Sequence, residues 1–145
     1  MKKYVIALSF AFLAACASSN HDSGPSVQMH ITATNLSTNT LYFRGPMSAV
    51  LQMTIENPTA DTITIRSLDF RTTGGGAFRI RTGSTPVNKT IPPNSSATLT
   101  MNVWGYSAGG YFASSEPIAI QGIANFNAPH GSFVRMFNDI ITPEN

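Results

Sequence analysis

Val27, Met29, Ile31 and Ala33 alternate with Gln28, His30, Thr32 and Thr34, so one side of this stretch is apolar and the other polar. A period of two is that of a half-buried β-strand, whose successive side chains point to opposite faces. Leu51, Met53 and Ile55 repeat the pattern up to Glu56-Asn57-Pro58, where proline removes a ladder donor and enforces a turn. Ile63, Ile65, Leu68 and Phe70 predict a third strand whose register moves by one near Ser67, as a β-bulge would cause, and Gly74-Gly75-Gly76 ends it. Phe78 and Ile80 predict a short fourth strand. After Ile91-Pro92-Pro93-Asn94 comes the most regular alternation in the chain, Ala97, Leu99, Met101 and Val103, with Thr98, Thr100 and Asn102 toward water. Ile118, Ile120, Ile123 and Phe126 predict a penultimate strand with a bulge at Gly122. Asn127-Ala128-Pro129-His130-Gly131 then turns the chain into a last strand through Phe133, Arg135 and Phe137.

No segment keeps helical spacing long enough to compete. The pattern therefore predicts an all-β domain over residues 27–145, an antiparallel two-sheet β-sandwich of the immunoglobulin or fibronectin kind with about seven strands. Composition agrees, because 42% hydrophobic and 11% charged residues make a folded globular chain rather than a disordered one. The 145 residues leave room for one such domain.

The amino terminus reads differently. Lys2 and Lys3 precede an apolar run, Tyr4 to Ala15, which is too short to span a bilayer, and Leu13-Ala14-Ala15-Cys16 closes it. This resembles a bacterial lipobox, which implies a signal peptide over residues 1–15, removed on processing, and a lipid on Cys16. Residues 16–26, mostly small and polar, read as a flexible tether. Two or more acyl chains anchor stably where one is marginal, so the domain is expected to be membrane-held without spanning. Ala17 stands where an aspartate would, by resemblance to enterobacterial sorting, favour the inner membrane; the periplasmic face of the outer membrane is the expected address. Loss of Lys2 and Lys3 leaves seven of nine Lys and Arg residues against seven acidic ones. A domain without net charge has no electrostatic reason to seek nucleic acid. Cys16 is the only cysteine, so no disulfide supports the core.

From Val50 to Val103 the chain resembles the group 2 late embryogenesis abundant domain, also called the water stress and hypersensitive response domain. The likeness rests on the strand ending in Asn57-Pro58, the strand carrying Ile63, Ile65, Leu68 and Phe70, the Ile91-Pro92-Pro93 turn before a Ser/Thr-bearing strand, and the closing Pro117-Ile118-Ala119-Ile120-Gln121-Gly122. It departs from that pattern at Gly74-Gly75-Gly76 and in the long Tyr106 to Ser115 stretch. The resemblance implies a non-enzymatic sandwich associated with dehydration and other stresses, whose polar strand faces shield membranes or labile proteins.

Gly105-Tyr106-Ser107-Ala108-Gly109 matches G-x-S-x-G, the turn that exposes a serine nucleophile in α/β-hydrolases, and Glu116 and His130 follow in the order acid, base. That motif needs a following helix and a largely parallel sheet with crossover helices. Tyr111 to Ser115 is too short for the helix, Gly109-Gly110 and Pro117 oppose it, and no catalytic residue is expected. The segment reads instead as a glycine-rich loop between two strands. His21, His30 and His130 are scattered, as are Glu56, Asp61, Asp69 and Asp139, which read as solvated surface; neither metal nor cofactor is implied. Trp104, at the end of the most regular strand and followed by Tyr106, Tyr111 and Phe112, is the one feature that could mark a binding surface. Such residues either cap the open end of a core or form a contact surface, since aromatics bury large area at small entropic cost. Two function classes follow: stress protection of the envelope, or a subunit of an envelope assembly that docks a partner through the Trp104 to Phe112 segment.

Overall fold

The computed structural model describes residues 24–34, 44–74, 76–109 and 117–142. The signal peptide, Cys16 and most of the tether lie outside these, as do Glu116, Tyr111 and Phe112. Eight strands follow in order: β1 Gln28–Ala33, β2 Gly45–Asn57, β3 Ile63–Thr72, β4 Phe78–Ile80, β5 Thr85–Ile91, β6 Ser95–Ser107, β7 Ile118–Ala128 and β8 Gly131–Ile141. They form two four-stranded sheets, β1-β2-β6-β4 and β5-β3-β7-β8, in which every pairing is antiparallel. The domain is a two-sheet β-sandwich.

The alternation read from the chain becomes the inner faces. Ile31, Leu51, Met53, Ile55, Val103, Phe78 and Ile80 of the first sheet meet Ile63, Ile65, Leu68, Phe70, Ile118, Ile120 and Phe126 of the second, all buried. The β3 bulge falls where the apolar register shifts, between Ile65 and Ser67. Two features differ from expectation. β5 is a strand that no alternation marks, because its residues are mostly exposed and Asn88 takes a positive φ of 54°. β7 carries no bulge: Gly122 pairs in unbroken register with Phe70 and Phe137, and Ile123 points outward.

The sandwich closes along the β1 and β8 edges through polar groups. Pairing of Thr34 N–H with the Val50 carbonyl puts the even-numbered residues of β1 in the ladder to β2 and turns the N–H of Ile31 outward. Asp139 of β8 takes that N–H on Oδ2 at 2.6 Å, the same oxygen lying 2.6 Å from His30 Nδ1. Arg135, buried on the inner side of β8, donates from Nε to the Pro25 carbonyl at 2.9 Å and from Nη2 to the carbonyls of Gly24 and Pro25. Asp139 is thus a cross-sheet tie rather than solvated surface, with its side chain only 15% exposed. Asp139→Ala strands an edge N–H and removes a hydrogen bond to a charged group, worth about 2 kcal/mol. Urea unfolding is expected to show that loss; a change below about 0.5 kcal/mol, the level of an ordinary surface substitution, would contradict the tie.

Candidate partner-binding site

Trp104 and Tyr106 stand on β6 and not in a loop, because β6 runs on to Ser107 with β2 beside it throughout. Ser48 pairs with Trp104, Met47 with Gly105 and Pro46 with Tyr106. On the other side Ile80, Arg79 and Phe78 of β4 pair with Gly105, Tyr106 and Ser107. A side chain at Gly105 would meet the Arg79 carbonyl at 2.7 Å, so the glycine lets β4 come close. The strand period then sends Trp104 and Tyr106 to the outer face, 73% and 46% exposed. They do not cap the core.

The same continuation places the serine of the G-x-S-x-G motif within a strand rather than at a strand-to-helix turn. Ser107 is a fully buried strand residue whose Oγ accepts from Gly109 N–H at 3.1 Å. His130 sits in the β7–β8 turn, its Nε2 3.8 Å from Asp61 Oδ2, at the end of the sandwich where Asn57 pairs with Ser95. Ser107 lies at the opposite end of β6, about 40 Å away along the strand. Among the described residues no three His, Cys, Asp or Glu side chains gather where they would hold a metal ion.

Beside Trp104 the structure has an opening that the sequence did not signal. After Ile80 the chain leaves β6: Thr82 N–H donates to the Phe70 carbonyl at 2.9 Å, Phe70 N–H donates to Thr82 Oγ1 at 2.9 Å, and Arg81 bridges to Arg71. These bonds turn the chain onto the second sheet, where β5 runs along β3. From Ser95 to Trp104, therefore, β6 has no strand on that side among the described residues. Between Leu99–Trp104 above and Leu68, Phe70 and Thr85–Val87 below lies a groove of about 590 Å³. Its one charged lining residue is Arg81, and Trp104 stands at its rim.

Comparison with solved structures agrees on the fold class. The chain is similar to the X-ray structure of a Northeast Structural Genomics Consortium target, with a TM-score of 0.52 and 16% identity over 86% of each chain. Weaker likenesses are to a protein described as ApaA from Bordetella pertussis (TM-score 0.47, 12% identity, 83% of this chain and 94% of that one) and to the solution structure of a protein described as late embryogenesis abundant (0.46, 15%, 78% and 68%). No protein-family model and no curated protein matches the sequence.

Proposed function

We propose that the chain is a lipid-anchored, non-catalytic β-sandwich of the cell envelope, tethered through Cys16 at the periplasmic face of the outer membrane, that works by docking another protein on the Trp104 side of β6. The observation behind this reading is a tryptophan three-quarters exposed at the rim of an apolar groove. Large rigid aromatics at such places are the usual anchors of interfaces, and their truncation typically costs 2 kcal/mol or more of binding, roughly thirtyfold. Crosslinking in intact cells tests it, with affinity capture from wild type and from Trp104→Ala. A single abundant partner lost in the variant supports docking; capture that is unchanged sinks it. Trp104 makes little of the core, so the variant is expected to keep its stability within about 0.5 kcal/mol.

A second reading, protection of the envelope against desiccation or osmotic stress, draws on the outer face of the first sheet. Thr32, Gln52 and Thr100 line up across three strands, followed by His30, Thr54 and Thr98. This row of hydroxyl and amide groups offers water or lipid headgroups many hydrogen bonds. On that reading Trp104→Ala is neutral and deletion of the chain lowers survival of drying.

A further inference from the structure

We infer that the groove beside β6 takes an extended peptide segment with alternate apolar residues, added as a fifth strand to the first sheet; the inference rests on the docking reading above and names what is docked. The backbone itself carries the argument. Ala108 N–H donates to the Ala77 carbonyl, which places Ala108 in the ladder to β4, and strand alternation then turns Thr98, Thr100, Asn102 and Trp104 the same way. Leu99, Met101 and Val103 spend their backbone groups on Met53, Leu51 and Ala49 of β2. Below β4, then, the residues Thr100, Asn102 and Trp104 present N–H and C=O groups to the groove at the repeat of a β-strand. A small apolar molecule would leave those groups unmatched, whereas an extended backbone satisfies them in register.

Two other edges, β1 and β5, are guarded in ways this one is not. The β1 edge is tied off by Asp139 and the Arg135 region. β5 carries Pro86, Lys89 and the positive-φ Asn88, each of which discourages pairing. From Ser95 to Trp104, β6 has neither a charge nor a proline. Inward side chains of an added strand would continue the row of Leu99, Met101 and Val103 and rest on Leu68, Phe70 and Val87, so alternate apolar residues are required of the ligand. Its outward side chains lie beside Trp104, which explains an aromatic at that rim.

A second copy of the chain does not fit. The floor of the groove is formed by β3 and β5, through Leu68, Phe70 and Thr85–Val87. If the β6 of another copy entered the groove, the second sheet packed beneath it would fall where β3 and β5 already stand. A single strand with nothing packed beneath it meets no such obstacle.

The test uses the full chain as isolated from cells. Amide exchange by NMR is expected to be fast at Thr100, Asn102 and Trp104 and slow at Leu99, Met101 and Val103; protection of all six would mean that the chain fills its own groove and would overturn the inference. A displayed library of random decapeptides is then selected on the protein. Enriched peptides are expected to alternate apolar and polar residues, to protect the three outward amides, and to bind about tenfold or more weakly to Thr100→Pro, which deletes one outward N–H without touching the β2 ladder. Thr100→Val should bind as wild type. Should Thr100→Pro fail to fold, N-methylation along the peptide gives the same answer, with loss of binding at every second position only. Enrichment of peptides that perturb another surface, or none over a blank support, overturns the inference, as does a dimer abolished by Thr100→Pro. Trp104-dependent capture in cells with no peptide binding would sink the strand and leave docking standing; failure of both would remove the docking reading as well.

Discussion

Asn57→Ala is expected to lower the free energy of unfolding by about 3 kcal/mol, since several hydrogen bonds of about 1 kcal/mol each are lost and buried carbonyls are left unpaired. Asn57 ends β2 and is 1% exposed. Its Nδ2 donates to the carbonyls of Asp61 at 2.8 Å, Pro92 at 2.9 Å and Ile91 at 3.3 Å. Its Oδ1 accepts from Thr59 Oγ1 at 2.7 Å and Thr59 N–H at 3.2 Å. One amide thus pins the turn after β2 to the turn after β5, which lie in different sheets. In urea the midpoint should fall while the slope is unchanged, because the surface exposed on unfolding is the same. Asn57→Asp should be worse than alanine: it replaces a donor by an anion facing three carbonyls. A loss under 1 kcal/mol for alanine, or an aspartate variant as stable as wild type, would falsify the clamp.

How much of this was legible beforehand depends on which distances the interaction spans. Asn57-Pro58 reads as a turn, because proline's local effect on the chain needs no partner. That the asparagine reaches Ile91 and Pro92, 34 and 35 residues on, is a property of the folded pairing and leaves no periodic trace. Likewise Ile63, Ile65, Leu68 and Phe70 announce both a strand and its bulge, since burial on one face writes a period of two into the sequence and a bulge breaks it at a countable place. β5 is silent for the complementary reason. Thr85, Pro86, Asn88, Lys89 and Thr90 face solvent, and the strand exists because β3 offers it a ladder.

The candidate site was half legible. Trp104 and Tyr106 stand out by type, but glycine at 105 suggested a loop where the structure has a strand making room for β4. The groove itself was invisible, because it arises from an omission: β4 stops after three residues when Thr82 is captured by Phe70. Only the pairing of both sheets reveals which backbone groups that omission leaves unsatisfied. The same holds for Asp139, whose neighbours in sequence are ordinary and whose partners belong to β1, more than 100 residues earlier.

Gly122 shows how one residue supports two opposite readings, and its replacement is the second large effect expected. Glycine in a strand marks either a bulge or a close approach. At a bulge with room around it, alanine would be tolerated or mildly stabilising, because it restricts the unfolded chain. Here the register is unbroken, and an added Cβ would lie 2.2 Å from Cζ of Phe137 and 2.8 Å from the Asp69 carbonyl. The ring of Phe137, itself buried, occupies the space above the glycine. Gly122→Ala is therefore expected to cost about 2 kcal/mol and Gly122→Val about 3 kcal/mol or more, the range of overpacked cores. Combining Gly122→Ala with Phe137→Ala separates the two obstacles. The double variant should be more stable than the sum of the single losses predicts, by about 1 kcal/mol, since removing the ring relieves the nearer clash. Rescue should stay incomplete, because the Asp69 carbonyl belongs to the paired strand β3 and moves only with it. Strict additivity would mean that ring and glycine do not meet, and a Gly122→Ala variant as stable as wild type would restore the bulge.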